Sequence, residues 1–106
     1  MKLLLAIVND DDASKVNASL REEGFSATKI SSTGGFLQSG NTTFIIGVND
    51  EDVKAACDVI EKNSKKRTIS VPASVSGEGR MVAPAGNITV GGATVFVLGV
   101  EEFKRL

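Results

Sequence analysis

One pattern occurs twice along the chain. The apolar run Leu3-Leu4-Leu5-Ala6-Ile7-Val8 leads into Asn9-Asp10-Asp11-Asp12, and forty residues later Phe44-Ile45-Ile46-Gly47-Val48 leads into Asn49-Asp50-Glu51-Asp52. Short apolar runs of this length read as strands, and the segment after each carries a helical period. In the second segment Val53, Ala56, Cys57 and Ile60 fall at i, i+3, i+4 and i+7, one face of a helix. In the first, Ala13, Val16 and Leu20 take the matching positions, and Gly24 reads as a left-handed C-cap. Each Asn-Asp pair predicts an N-cap, with carboxylates beside the positive end of the helix dipole. Lys62, Lys65, Lys66 and Arg67 crowd the end of the second helix, where cations are favoured.

Between the two units, residues 25–33 read as a strand rich in β-branched and aromatic residues. The glycine-bounded segment 34–41 then makes a short hairpin connection to a strand at 42–48. After the second helix come a short strand at 68–71, a Pro/Gly/Ser-rich loop at 72–87, a final strand at about 89–98 and a tail at 100–106. Gly91-Gly92, near the start of that strand, reads as a bulge or loop exit, with close backbone approach from another segment as the alternative. Two split βαβ halves at a fixed offset predict a single α+β domain over residues 1–106. Its expected form is a ferredoxin-like βαββαβ sandwich, a four-stranded antiparallel sheet with both helices on one face. The strands are apolar on both faces, which predicts that the uncovered face is buried by copies of the chain.

Composition narrows the chemistry. The 106 residues include no His, Trp or Tyr and one Cys. Ser-His-Asp and Cys-His triads, His-based zinc sites and histidine acid-base catalysis are thereby excluded. A lone Cys57 and the lack of a signal-peptide pattern lead to the expectation of a cytoplasmic protein. No apolar run approaches the ~20 residues of a bilayer span, so no membrane insertion is expected. With 12 Lys+Arg against 13 Asp+Glu the net charge is -1, which gives no general attraction to nucleic acid polymers. An anionic ligand must therefore be held by local geometry.

Few residues stand out as chemistry. Asp10, Asp11 and Asp12 have the form of an acidic metal cluster, but the second copy of the pattern favours helix-capping charge, and no metal is expected. Cys57 lies on the apolar stripe of its helix with no base beside it, so it reads as a small hydrophobe. Lys65-Lys66-Arg67 is a weak phosphate patch or simply a basic last turn. Gly34-Gly35 can expose successive backbone N–H groups as an anion-cradling nest, and Phe36, Leu37 and Asn41 then describe an apolar wall with a polar rim; a glycine turn over an incidental apolar pair is the alternative.

The segments Thr28-Lys29, Thr33-Gly34-Gly35-Phe36-Leu37 and Gly40-Asn41-Thr42-Thr43-Phe44, with Gly47-Val48 and Val90-Gly91-Gly92-Ala93-Thr94-Val95-Phe96-Val97, closely resemble the PII-like cyclic di-AMP receptors of Gram-positive bacteria. The similarity covers essentially the whole chain and is weakest between residues 68 and 87. It implies a homotrimer with sheets packed inward and one cyclic di-AMP in each of three clefts between subunits. The protein would be a non-catalytic second-messenger receptor with no cofactor, answering to an unidentified downstream protein. Carried over by position, Gly35, Phe36 and Leu37 form the ligand's loop, the last two packing on an adenine. Thr28 and Asn41 hydrogen-bond the base or phosphate, the Gly47 backbone contacts phosphate, and Phe96 is a second apolar wall. Relative to classical PII proteins the short connection at 34–41 and the long loop at 72–87 exchange lengths. Position 26, often Arg in the family, is Ser26 here, and Arg105 stands where relatives often have Gln. Arg105 is thus expected to restore part of the missing positive charge. Alternatives are a PII-like sensor of ATP or ADP, a trimer without ligand, and an acylphosphatase-like enzyme using Arg21 and Asn41. An RNA-binding module fits less well, since the central strands lack exposed aromatic and basic residues.

Overall fold

A computed structural model describes residues 1–30, 40–71, 74–75, 81–83 and 86–106. The strands are β1 (Lys2–Asn9), β2 (Ala27–Ile30), β3 (Asn41–Val48), β4 (Arg67–Val71), β5 (Ser74–Val75), β6 (Met81–Ala83), β7 (Gly86–Val90) and β8 (Ala93–Gly99), and the helices are α1 (Asp10–Glu22) and α2 (Val53–Asn63). The main sheet is antiparallel in the order β2-β3-β1-β8. This small α+β arrangement of four strands and two helices is compatible with a ferredoxin-like, PII-like fold.

The predicted periodicities place the core. Leu4, Ala6 and Val8 of β1 and Phe44, Ile46 and Val48 of β3 point to one side, where Ala13, Val16 and Leu20 of α1 and Ala56 and Ile60 of α2 cover them. Val53 and Cys57 pack at the margin of that core. Fully burying Phe44, Leu4, Leu20, Ile46 and Ile60 contributes about 1.5–3 kcal/mol each.

Helix α1 begins and ends as its sequence dictates. Asn9 accepts a hydrogen bond from the Asp11 N–H at 2.9 Å, an N-cap. At the other end Gly24 takes φ +85, its N–H donates to the Arg21 carbonyl, and the Phe25 N–H donates to the Leu20 carbonyl. That bond pair defines a Schellman motif, and it folds Phe25 back against the core. The second Asn-Asp pair behaves differently. Asn49 precedes a single 3₁₀ turn at Asp50–Asp52 and makes no side-chain capping bond, and α2 starts only at Val53. Asp50 instead pairs with the N-terminal amine of Met1 at 2.8 Å.

The expected last strand is two strands. Gly91 and Gly92, with φ +87 and +84, break it. The part before the break, β7, pairs with β4 in a separate ribbon, Arg67 opposite Val90 and Val71 opposite Gly86. Residues expected as loop between 72 and 87 thus include β5 and β6, which pair with each other, and the start of β7. The expected strand at 25–33 is seen as β2, and residues 31–33 lie outside the described residues.

Candidate functional site

Because side chains alternate across a strand, the register fixes which residues share the face opposite the helices. Thr28, Ile45, Leu5 and Phe96 form one rank across β2, β3, β1 and β8; Ile30, Thr43, Ile7 and Thr94 form the next; Gly47, Leu3 and Leu98 lie on the other side. Asn41 and Asn9 pair at the end of the face. None of these side chains carries a charge. Leu3, Leu5, Ile7 and Ile45 are half-buried, while Phe96 and Leu98 remain 41% and 46% exposed. No helix covers this apolar face among the described residues.

The structure puts four expected ligand residues, Thr28, Asn41, Gly47 and Phe96, on this one face but far apart. Thr28 and Phe96 share a rank yet sit on opposite edge strands, three strand spacings or about 14 Å apart. Asn41 and Gly47 stand at opposite ends of β3, about 20 Å apart along the strand. Gly47 is exposed, and a Cβ built there would meet only Met1 Cε at 3.5 Å, an ordinary contact. Packing within the chain therefore does not require glycine at this position. Gly35, Phe36 and Leu37 lie outside the described residues. Arg105 is exposed in the tail that follows β8, close in sequence to the Glu102–Lys104 ion pair of 3.1 Å.

At the Asn41 end the face runs into a cavity of about 270 Å³, lined by Ile7, Asn9, Asn41, Thr94, Lys66 and the Gly91-Gly92 break among others. Three contacts fix its surroundings to the start of α1. The Asp10 N–H donates to the Gly40 carbonyl at 2.9 Å, the Thr42 hydroxyl donates to Asp10 at 2.6 Å, and Arg67 pairs with Asp12 at 3.0 Å. The carboxylates expected to serve only as capping charge thus also anchor both the entry to β3 and the root of the β4–β7 ribbon. Among the described residues no group of acidic or sulfur side chains forms a metal site.

Sequence reasoning weighed Lys66 within Lys65-Lys66-Arg67 as a weak phosphate patch or a basic last turn, and did not place it at the same cavity as Asn41. No local signal places it there, because the cavity is built from chain segments distant in sequence. A larger groove of about 480 Å³ lies between α2 and β8, lined by Cys57, Ile60, Ser64 and Val95 among others. None of the expected ligand residues lines it. Burial, and secondarily the negative charge of Asp58, push the Cys57 thiol above its ordinary pKa, which favours the unreactive protonated form. The acylphosphatase-like pair is not assembled. Asn41 lies beside the first turn of α1 and Arg21 lies in its last turn, about 16 Å along the helix axis.

No helix among the described residues is long and apolar enough to cross a membrane. The chain is similar to a functionally unknown protein from Pediococcus pentosaceus ATCC 25745 whose crystal structure is known, with 41% identity and a TM-score of 0.76 over 99% of this chain and 96% of that one. The family model for the cyclic-di-AMP receptor matches residues 1–106. The chain belongs to the cyclic-di-AMP receptor family.

Proposed function

We propose that the protein is a cyclic di-AMP receptor that works as a homotrimer, binding the messenger in clefts between neighbouring subunits and transmitting its presence through rearranged loops to a downstream protein. The full-length family match carries this reading. The open sheet face supports the assembly, because seven large apolar side chains on an uncharged surface favour burial against like surfaces. The spacing of the expected ligand groups supports a shared site. Thr28 and Phe96 lie on opposite edges of one sheet, and a ring of copies brings opposite edges of neighbours together.

In this reading Phe36 and Leu37 hold an adenine, a stacking contact worth about 1–3 kcal/mol on an aromatic ring. Thr28 and Asn41 supply short polar contacts, Phe96 adds an apolar wall, and Arg105 contributes charge from the tail. Gly47 fits a site where ligand approaches the backbone closely, since the chain itself does not need glycine there. The protein binds and releases its ligand without chemistry, and it acts in the cytoplasm. Calorimetric titration with cyclic di-AMP, cyclic di-GMP and ATP tests this. Saturable binding with preference for cyclic di-AMP is expected; preference for ATP would make the protein a sensor of that nucleotide, and a flat cyclic di-AMP titration would overturn the reading.

A further inference from the structure

The basic run Lys65-Lys66-Arg67 divides its three charges among different surroundings. Arg67 is engaged by Asp12, with Nη1 and Nη2 both within 3.3 Å of the carboxylate, and its Nη1 also donates to the Lys65 carbonyl. Lys65 and Lys66 both line the α2–β8 groove, which also holds Glu61, and Lys65 lines a second groove with Asp11 and Asp12. Of the three, Lys66 alone also lines the cavity that holds Asn41, and the described lining of that cavity contains no carboxylate. A cation facing a polar cavity without a built-in counter-ion is a site for an anion.

The position of this lysine is constructed. The Gly92 N–H donates to the Ser64 carbonyl, which docks the chain break against the end of α2. A Cβ built on Gly92 would lie 3.0 Å from Lys66 Cγ and 3.1 Å from Cε, so the lysine stem runs along bare backbone. Lying along a surface confines a long side chain that otherwise loses rotamer freedom on binding. We infer that Lys66 is the cationic contact for a phosphodiester of the ligand, supplying from the end of α2 the charge that Ser26 does not. The inference rests on the cyclic di-AMP reading of the same site.

Calorimetric titrations with cyclic di-AMP of the wild type, Lys66→Ala, Lys66→Arg and the control Lys62→Ala, each at low and high salt, test it. Loss of one charge-assisted contact should weaken binding about tenfold in Lys66→Ala. Its affinity should also vary less steeply with salt than that of the wild type. Lys66→Arg should recover most of the affinity, and Lys62→Ala should match the wild type. Wild-type affinity and salt dependence in Lys66→Ala would overturn the role of Lys66 and leave the receptor reading intact. So would equal losses in Lys66→Ala and Lys62→Ala. A wild type that does not bind cyclic di-AMP overturns both.

Discussion

Replacing Gly91 by alanine separates two costs that the fold imposes at the break between β7 and β8. The first is conformational. At φ +87 an L-residue carries a penalty of about 1–2 kcal/mol. The second is steric. The new Cβ would lie 2.5 Å from the Lys65 carbonyl oxygen and 2.9 Å from Arg67 Nη1. A backbone carbonyl cannot swing aside like a side-chain tip, so β8 must lift from the end of α2, a repacking that costs about 1–3 kcal/mol. The sum is about 2–5 kcal/mol, a large share of the ~5–15 kcal/mol that holds a domain folded. Two controls isolate the parts. Gly24, with φ +85 and nothing within 4 Å of a built Cβ, should cost the conformational part alone, about 1–2 kcal/mol. Gly86 has neither a left-handed φ nor a neighbour within 4 Å, and its alanine variant should stay within about 0.5 kcal/mol of the wild type. Urea unfolding at one fixed protein concentration gives the three values, concentration being held because an oligomer's stability depends on it. A Gly91→Ala variant no less stable than Gly24→Ala would refute the close approach of this break to α2.

Asp12→Asn keeps the volume of a buried side chain and removes its charge from half-exposed Arg67. Between the values for surface and fully buried pairs, a loss of about 1–2 kcal/mol is expected in urea unfolding, shrinking as salt is added, and an unchanged midpoint would contradict it. Ile45→Glu puts a carboxylate at the centre of the open face, where burial in an assembly costs about several kcal/mol per copy. Light scattering should show single chains with an unchanged circular dichroism spectrum, whereas persistence of the assembly would contradict burial of this face. The raised Cys57 pKa means less thiolate at any given pH. The pH midpoint for alkylation by iodoacetamide should therefore lie above that of a free cysteine, and a midpoint at or below it would be the contrary result.

The helices and the core were legible because their signals are local. Val53, Ala56, Cys57 and Ile60 all face the core, and Gly24 ends α1 with the bonds its position implies. The repeat misled where long-range contacts intervene. Asn9 caps its helix, but the same letters at Asn49 do not, since Asp50 is taken by the Met1 amine and a 3₁₀ turn comes first. Segment 72–87 read as loop because Pro, Gly and Ser are turn formers. The pairing of β7 with β4 depends on partners about twenty residues apart, which composition does not encode. Of the site, Thr28, Asn41, Gly47 and Phe96 were named by the family resemblance, and their common face follows only from the observed strand register. Lys66 was legible only as part of a weak phosphate patch; its place at Asn41's cavity depends on the docking of Gly92 on Ser64, which the sequence does not show.

The central claim is that one messenger is held by two copies of the chain. Native mass spectrometry of the protein with added cyclic di-AMP measures assembly and occupancy together. The account predicts a three-chain species carrying up to three cyclic di-AMP molecules, with no ligand on single chains. Ligand bound in equal proportion to single chains, or a three-chain species that stays empty at saturating cyclic di-AMP, would contradict it.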